Sequence, residues 1–251
     1  MAATDRVRIA AVSDVHYRRE APANPHQVIR EALQAADILV LCGDLTDHGL
    51  PEEAHQLVRD LENSDIPMLA VLGNHDYEAG RCDEVCAILA EGGVRVLDGE
   101  AFEVEGIGFA GTKGFGGGFG RRTLEPWGES TIKQFVQEAV NEAMKLELAL
   151  ARLRTPQRIA LLHYAPVQST VEGEPPEIFA FLGSSRLEEP LDRYEVTAAF
   201  HGHAHRGTLQ GATRGGVPVF NISLPLLRRD FPDRPPFYLY EVPREPPAGS
   251  E

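Results

Sequence analysis

Three short apolar runs, each followed by a polar motif, decide the fold: 7-VRIAAVSDVH-16, 38-ILVLCGD-44 and 68-MLAVLGNHD-76. Between the first two runs, Asn24 and Pro25 are typical of the cap and the first residue of a helix, and Pro51 begins a second helical stretch before the third run. This order of strand, helix, strand, helix and strand predicts parallel strands joined by helical crossovers. Such sheets bind ligands at the carboxyl ends of their strands, where the three polar motifs lie.

The rest of the chain continues as an α/β sequence. Short strands are predicted between residues 94 and 110, a third helix over 83–90 and a long helix over 130–153. Further strands are predicted near 159–162, 196–200, 208–210, 217–222 and 237–242, whereas residues 165–194 are irregular. Because no linker or repeat divides the chain, we expect one domain over residues 1–242 and a disordered tail over 243–251.

The charge balance disfavours a general nucleic-acid-binding surface. The chain has 24 Lys and Arg against 38 Asp and Glu, a formal net charge of -14 that repels polyanions. It has no apolar leader and no apolar stretch of about 18 residues, so we expect no membrane association and a cytoplasmic location. Its three cysteines fit a reducing compartment. The sequence predicts no oligomeric state.

Five segments concentrate side chains that bind metal ions. They are Asp14-Val15-His16, Gly43-Asp44, Gly73-Asn74-His75-Asp76, His163 and Gly202-His203-Ala204-His205. Residues two apart in a strand point to the same side, so a D-x-H or H-x-H motif at a strand end can direct two ligands at one point. Turn chemistry alone would explain the Asp and Asn residues but not the accompanying histidines. Carboxylate and imidazole groups without thiolates suit Mn, Fe or Zn, and we expect Mn.

The ordered series D-x-H, G-D, G-N-H-D, H and G-H-x-H resembles the calcineurin-like metallophosphoesterase family, and the resemblance spans residues 14 to 205. It implies an α/β fold, a four-layer α/β/β/α sandwich of two mixed sheets, with two divalent metal ions at the sheet edge. By the same resemblance, Asp14, His16 and His205 would bind one ion, Asn74, His163 and His203 the other, and Asp44 would bridge both.

The resemblance also implies an activity, the hydrolysis of a small phosphate ester by metal-bound hydroxide. His75 would stabilise the transition state or protonate the leaving oxygen, and Asp76 would hold its imidazole by a hydrogen bond. Residues 43-GDLTD-47, followed by Pro51-Glu52-Glu53, resemble small bacterial phosphodiesterases, some of which act on cyclic nucleotides. We therefore favour a phosphodiesterase. The alternatives are a phosphomonoesterase acting on a small phosphorylated metabolite and, more remotely, a non-catalytic interaction module, although no ligand of the family pattern is missing.

Two segments are candidates for substrate contacts. Residues 114-GFGGGFG-120, followed by Arg121 and Arg122, form either an exposed flexible loop or a mobile lid, in which Phe115, Phe119 and Arg121 would touch the substrate. Residues 165–194 form either a packed excursion or a rim, to which Arg186 would contribute.

Three further features are assigned structural roles. His201 alternates with His203 and His205, but the family pattern requires only the latter two, so a supporting position is favoured over ligation. Gly106 to Gly111 match G-x-G-x-x-G within a strand-like segment, which is the wrong context for a dinucleotide site. The charged residues of the long helix, including Glu142 and Lys145, are interpreted as solvated surface.

Overall fold

The computed structural model describes residues 6–20, 24–62 and 64–244, and its eleven described strands form two mixed sheets. The strands are β1 (Arg6–Val12), β2 (Ile38–Cys42), β3 (Met68–Val71), β4 (Val94–Val96), β5 (Glu100–Val104), β6 (Ile107–Gly111), β7 (Gln157–Leu161), β8 (Ala198–His201), β9 (Gln210–Ala212), β10 (Pro218–Asn221) and β11 (Tyr238–Pro243). The first sheet has the order β11-β1-β2-β3-β4, and only β11 is antiparallel to its neighbour. The second has the order β5-β6-β7-β8-β10-β9, with parallel pairing except at β5 and β9 on its edges.

Helices cover the outer faces of both sheets. They are α1 (His26–Ala35), α2 (Pro51–Leu61), α3 (Cys82–Glu91), α4 (Ser130–Leu150), α5 (Phe179–Leu182), α6 (Glu188–Arg193) and α7 (Leu224–Asp230). Helices α1, α2 and α3 contribute buried residues to the core of the first sheet, while α4 and α6 pack on the second. The predicted four-layer α/β/β/α sandwich is therefore confirmed.

Alternation along the strands of the second sheet explains the layering. Phe109, Ile159 and Phe200 face the first sheet within one large core, whereas Ala160 and Ala199 face α4 and α6. The inward side chains are large and those under the helices are small, so the helices approach the sheet closely while the two sheets bury a wide apolar layer between them.

Some expectations from the sequence need correction. Glu142 is 1% exposed rather than solvated, because Thr112 Oγ1 and the Gly114 amide donate to its Oε2 and Lys145 Nζ donates to its Oε1. Asn24 caps no helix: its side chain bonds the backbone N–H and C=O of Arg18 instead. The sequence did not indicate these contacts, because Thr112 and Gly114 are distant from Glu142 in sequence and Arg18 lies outside the helix that follows Asn24.

The last residues of the chain are only partly described. Pro243 ends β11 and Arg244 pairs with Glu105, and the remainder of the predicted tail, residues 245–251, lies outside the described residues. The division into one domain over residues 1–242 stays a prediction, which a single cooperative unfolding transition would support. None of the helices within the described ranges is long and apolar enough to span a membrane.

Candidate active site

The two sheets bring the five predicted segments together at one edge. Asp14, Asp44 and Asn74 follow the carboxyl ends of the adjacent parallel strands β1, β2 and β3, while His163 and His203 follow β7 and β8 of the second sheet. Because all five strands point the same way within their sheets, their terminal loops converge where the sheets meet. The topology thus assembles ligands that lie up to 191 residues apart in the chain.

Side chains at this edge form three overlapping groups of possible metal donors. The groups are Asp14, His16 and His205; His16, Asp44 and His75; and Asp44, His163 and His203. The first and third groups correspond to the two ion sites that the family resemblance implies, and Asp44 lies between them, with its Oδ1 3.3 Å from His163 Nε2 and its Oδ2 3.8 Å from His16 Nε2. Asn74 joins the second site, because its Oδ1 is 3.0 Å from His163 Nε2.

Asp14 and Asp44 are buried at 2% and 1% exposure, yet neither forms an ion pair with a lysine or arginine among the described residues. Burying a carboxylate without a compensating charge is costly. Imidazoles surround the pair instead, and His16 Nδ1 is buried without a hydrogen bond. A donor set of this composition fits divalent cations, which would supply the missing positive charge.

Two of the histidines are held in orientations suited to ligation. His163 Nδ1 donates to the carbonyl of Cys42 at 3.0 Å, which leaves Nε2 facing Asn74 and Asp44. His203 Nε2 donates to the carbonyl of Phe181 at 3.2 Å, so its Nδ1 is the free nitrogen. A carbonyl acceptor on one ring nitrogen fixes the tautomer and leaves the other lone pair for a metal ion, as is usual for histidine ligands.

This environment shifts the pKa values of Asp14 and Asp44 in opposite directions. Burial raises the pKa of Asp14, but the hydrogen bond from His205 and the nearby imidazoles outweigh burial and hold it below its usual value. Burial, followed by the charges of Asp14 and Asp76, raises the pKa of Asp44 well above its usual value. Without bound cations, Asp44 therefore tends to hold a proton, which a metal ion would displace.

Backbone geometry at the site is strained. Asp14, His16, Asp44 and His203 have positive φ angles of 57°, 44°, 49° and 68°. Such conformations are uncommon for residues other than glycine and cost about 1 kcal/mol or more each. Four of the six non-glycine residues with positive φ in the described ranges are therefore candidate ligands, and strain is concentrated where the donors meet.

Two glycines make the close approach of these loops possible. A Cβ on Gly73 would lie 2.2 Å from Asp44 Oδ1, and a Cβ on Gly202 would lie 2.2 Å from Asp14 Oδ2. Any larger residue at either position would displace a candidate ligand.

His75 belongs to the second donor group and lies beside the first. Its ring is 4.6 Å from that of His16, and its amide donates to Asp44 Oδ1 at 2.9 Å. Its Nδ1 donates to the backbone carbonyl of Asp47 at 2.7 Å, which leaves Nε2 as the free nitrogen.

The partners of Asp76 differ from those expected. Its oxygens accept hydrogen bonds from the amides of Leu45, Thr46 and Gly73 and from Thr46 Oγ1, and no described hydrogen bond joins it to the His75 ring. The carboxylate is fully buried and connects the loops after β2 and β3. The expected orienting role therefore falls to the Asp47 carbonyl, because Asp76 points into the protein beneath the site.

Asp47 was overlooked as a site residue. In addition to its carbonyl contact, its carboxylate lies 2.9 Å from Arg18 Nε and 3.4 Å from His16 Nδ1. Asp47 thus lies next to His16, a candidate ligand, and next to His75, the candidate proton donor. Asp47 ends the segment 43-GDLTD-47, but neither that resemblance nor its position three residues after Asp44 distinguishes it from an ordinary turn residue.

The residues predicted to contact the substrate lie in different environments. Phe115 packs against Phe135 and Tyr164 beside the site. Phe119 does not reach the surface: it is 8% exposed and packs in a cluster with Ala165, Val171, Leu182 and Ala204.

The two arginines differ from each other. Arg121 is exposed in a single helical turn, Gly120–Arg122. Arg186 Nη2 donates to the carbonyl of Leu124 at 2.8 Å and so holds the glycine-rich segment in place.

That segment is neither a free loop nor an open lid in this structure. The amide of Gly117 donates to Ala180 O, and that of Gly118 donates to Gly183 O.

His201 is buried with both ring nitrogens occupied, by Gly202 O and Thr170 Oγ1, which confirms its supporting position.

Comparison with known proteins agrees with this arrangement. The profile of the calcineurin-like phosphoesterase family matches residues 7–207. A search of curated protein sequences finds no match. Among solved structures, phosphopantetheinyl hydrolase from Mycobacterium tuberculosis is similar with a TM-score of 0.69 and 15% identity, covering 97% of this chain and 98% of that one.

Two other solved structures share the fold more distantly. The protein TT1561 of Thermus thermophilus has a TM-score of 0.55 at 13% identity, with 96% and 100% coverage. A putative 5'-nucleotidase from Staphylococcus aureus has a TM-score of 0.50 at 14% identity, covering 86% of this chain and 48% of its own. On the strength of the family match over most of its length, the chain belongs to the calcineurin-like phosphoesterase family and is a metal-dependent phosphoester hydrolase.

Proposed function

We propose that this enzyme hydrolyses a small phosphodiester with two divalent metal ions held by Asp14, His16, Asp44, Asn74, His163, His203 and His205. The observation that carries the proposal is the pair of buried carboxylates that contact imidazoles but, within the described ranges, no lysine or arginine. Bound ions would supply positive charge to the phosphoryl oxygens and lower the pKa of the water that attacks phosphorus. Manganese is our proposed metal, because the donors are carboxylate, amide and imidazole groups.

The charge at the site supports a diester over a monoester. Two divalent ions would contribute about +4, Asp14 and Asp44 return about -2, and a hydroxide nucleophile leaves about +1. No lysine or arginine contacts either carboxylate among the described residues. A phosphodiester carries one negative charge and would neutralise this balance, whereas a monoester dianion would leave about -1 at the site.

We assign His75 as the group that protonates the leaving oxygen. Its Nδ1–H is committed to the Asp47 carbonyl, so Nε2 is the nitrogen able to hand over a proton. The His75 ring is held by its bond to the Asp47 carbonyl, and the His75 backbone is held by its bond to Asp44. Asp76 supports catalysis only indirectly, by connecting the loops that carry Asp44 and His75.

The names of the neighbours permit both kinds of substrate. One is called a phosphopantetheinyl hydrolase and another a putative 5'-nucleotidase, and neither name decides between a diester and a monoester for this chain. A phosphomonoesterase acting on a small metabolite is accordingly the second candidate. The net charge of -14 weighs against a nucleic-acid polymer as substrate.

Metal analysis combined with a pair of substrates tests the proposal. Protein loaded with Mn should contain two ions per chain and should hydrolyse bis(p-nitrophenyl) phosphate with a kcat/KM at least about tenfold above that for p-nitrophenyl phosphate. The reverse preference would establish the monoesterase alternative. Loss of both activities on chelation, with recovery on adding Mn, is expected for either substrate.

We also propose a cytoplasmic location. All three cysteines, Cys42, Cys82 and Cys86, are free thiols, which suits a reducing compartment. Fractionation of cells that produce the chain would test this, and recovery outside the cytoplasm would contradict it.

A further inference from the structure

An aromatic row extends from the candidate metal site along the neighbouring loops. It consists of Tyr164, Phe115, Phe135 and Phe181, which are joined by centroid distances of 5.7, 4.9 and 6.0 Å in that order. The Tyr164 ring lies 4.5 Å from that of His203. The row therefore begins against a candidate ligand.

The outer end of the row is also fixed to the site. Phe181 belongs to α5, and its carbonyl accepts the hydrogen bond from His203 Nε2. The same segment is paired with the glycine-rich loop through Gly117, whose amide donates to Ala180 O at 2.7 Å. Gly116 permits this contact, since a Cβ there would lie 2.6 Å from Ala180 O and 3.2 Å from Phe135 Cζ. The backbone of residues 180 and 181 is thus held close to the donors, and the Phe181 ring extends from it beside Phe135.

Only one ring of the row is open to a ligand. Lys113 Nζ lies 4.8 Å from the Phe115 centroid and 5.3 Å from the Tyr164 centroid, so the amine lies over both rings. Phe135 is partly buried between Phe115 and Phe181. Phe181, in contrast, is 59% exposed, and Ile178 on the same segment is 38% exposed. Exposed apolar side chains beside a concave functional site are characteristic of ligand-binding surfaces.

From this arrangement we infer that Phe181 is a specificity-determining residue that contacts the organic group of the substrate, and that this group is aromatic or otherwise apolar next to the phosphate. The inference rests on the proposed function, because the phosphate must occupy the metal site for its organic group to reach Phe181. A ring or alkyl chain stacked on Phe181 removes apolar surface from water on both partners. A strongly hydrated organic group would gain nothing from this surface.

Two phosphonates separate the contribution of the organic group from reactivity. Phenylphosphonate and methylphosphonate have no ester bond to hydrolyse, and at mildly acidic pH each carries mainly one negative charge, as a phosphodiester does. Calorimetric titration of the Mn-loaded enzyme at that pH gives the Kd of each. We expect phenylphosphonate to bind about tenfold more tightly, from the apolar area that one ring can bury. Phe181→Ala should reduce this ratio to less than about threefold, while Phe181→Leu should keep most of it.

The matched control is Leu148→Ala on α4. Leu148 is 56% exposed, like Phe181, but lies about 20 Å along the helix from Phe135. The Leu148→Ala variant should show the same ratio of Kd values as the wild type. The metal content of all variants should stay at the wild-type level, because the bond from His203 is made to the backbone of residue 181.

The two hypotheses fail in different ways. If the enzyme hydrolyses phosphate esters but Phe181→Ala retains the full preference for phenylphosphonate, the inference is wrong and the proposed function stands. The same conclusion follows if the wild type binds both phosphonates equally. If no phosphate ester is hydrolysed and neither phosphonate binds the metal-loaded protein, the proposed function fails, and the inference fails with it.

Discussion

The candidate metal centre lies at strand ends, whereas the aromatic row beside it lies on loops and on the helices α4 and α5. Asp14 and Asp44 lie two residues after β1 and β2, and backbone bonds continue past the strand ends, with the amide of Asp14 donating to Gly43 O and that of His16 donating to Asp44 O. The row depends on contacts between residues 115–118 and 180–183, which are separated by more than sixty positions. We expect chemistry and selectivity to vary largely separately, because mostly different parts of the backbone hold them, although the bond from His203 Nε2 to the Phe181 carbonyl links the two regions.

A matched pair of glycine substitutions tests this separation with the largest expected effect. Gly73→Ala drives a Cβ into Asp44, so we expect loss of bound metal and, with it, loss of measurable hydrolysis. Gly116→Ala pushes the glycine-rich loop away from Ala180 and Phe135, so it should keep the metals but weaken the preference for phenylphosphonate. Metal analysis and the phosphonate titrations measure both outcomes. Loss of metal from both variants would show that the two regions are not independent.

Replacement of His75 by Asn should act within the metal region without removing its ions. His75 donates through its amide to Asp44, which the variant retains, whereas the ring that carries the proton is lost. We expect two bound ions and a decrease in kcat of about 10²- to 10⁴-fold for an ester with a poor leaving group. An aryl ester with a good leaving group should be affected less. Unchanged kcat for both esters would remove His75 from the mechanism.

Glu142→Gln tests how far the row depends on the helix behind it. The buried carboxylate accepts hydrogen bonds from Thr112, Gly114 and Lys145, and so attaches α4 to the start of the glycine-rich loop. Weakening these charge-assisted bonds should lower the free energy of unfolding by roughly 2 kcal/mol, with metal content unchanged. Glu138→Gln on the same helix should change it by less than about 0.5 kcal/mol. Denaturant titrations compare the two, and equal values would contradict the role of Glu142.

The smallest expected effect is a pH dependence of the metal-free protein. The pKa of Asp44 is raised in the folded state, so the folded protein binds more protons than the unfolded chain above about pH 4, and stability should fall as pH rises from there. The pKa of Asp14 is lowered, so its contribution is present above about pH 4 and is lost as pH falls further. In chelator, Asp44→Asn should make the decline above pH 4 shallower, while Asp76, whose pKa burial also raises, contributes the remainder. A decline as steep as that of the wild type would assign it to groups other than Asp44.

Much of this organisation could be predicted from the sequence, and the limits have a physical cause. The apolar runs before Asp14, Asp44 and Asn74 predicted β1 to β3 and the edge at which the donors meet, because strand periodicity and strand-end geometry are local properties. The contact of His75 with the Asp47 carbonyl could not be predicted in detail, nor could the bonds of Asp76 to the loop after β2, since both depend on how two loops fold over each other. Phe119 was expected at the surface because the glycine-rich segment has no apolar periodicity, yet residues 180–184 cover it.

The positive φ angles at Asp14, His16, Asp44 and His203 also bear on how the enzyme matures. Each strained residue lowers the stability of the loop that contains it, so before metal arrives these strand ends should open more readily than the strands themselves. Metal uptake would then be the last step of folding at this edge. Amide hydrogen exchange at residues 13–17 and 43–47 should be fast in the apoprotein and should slow sharply once the ions bind.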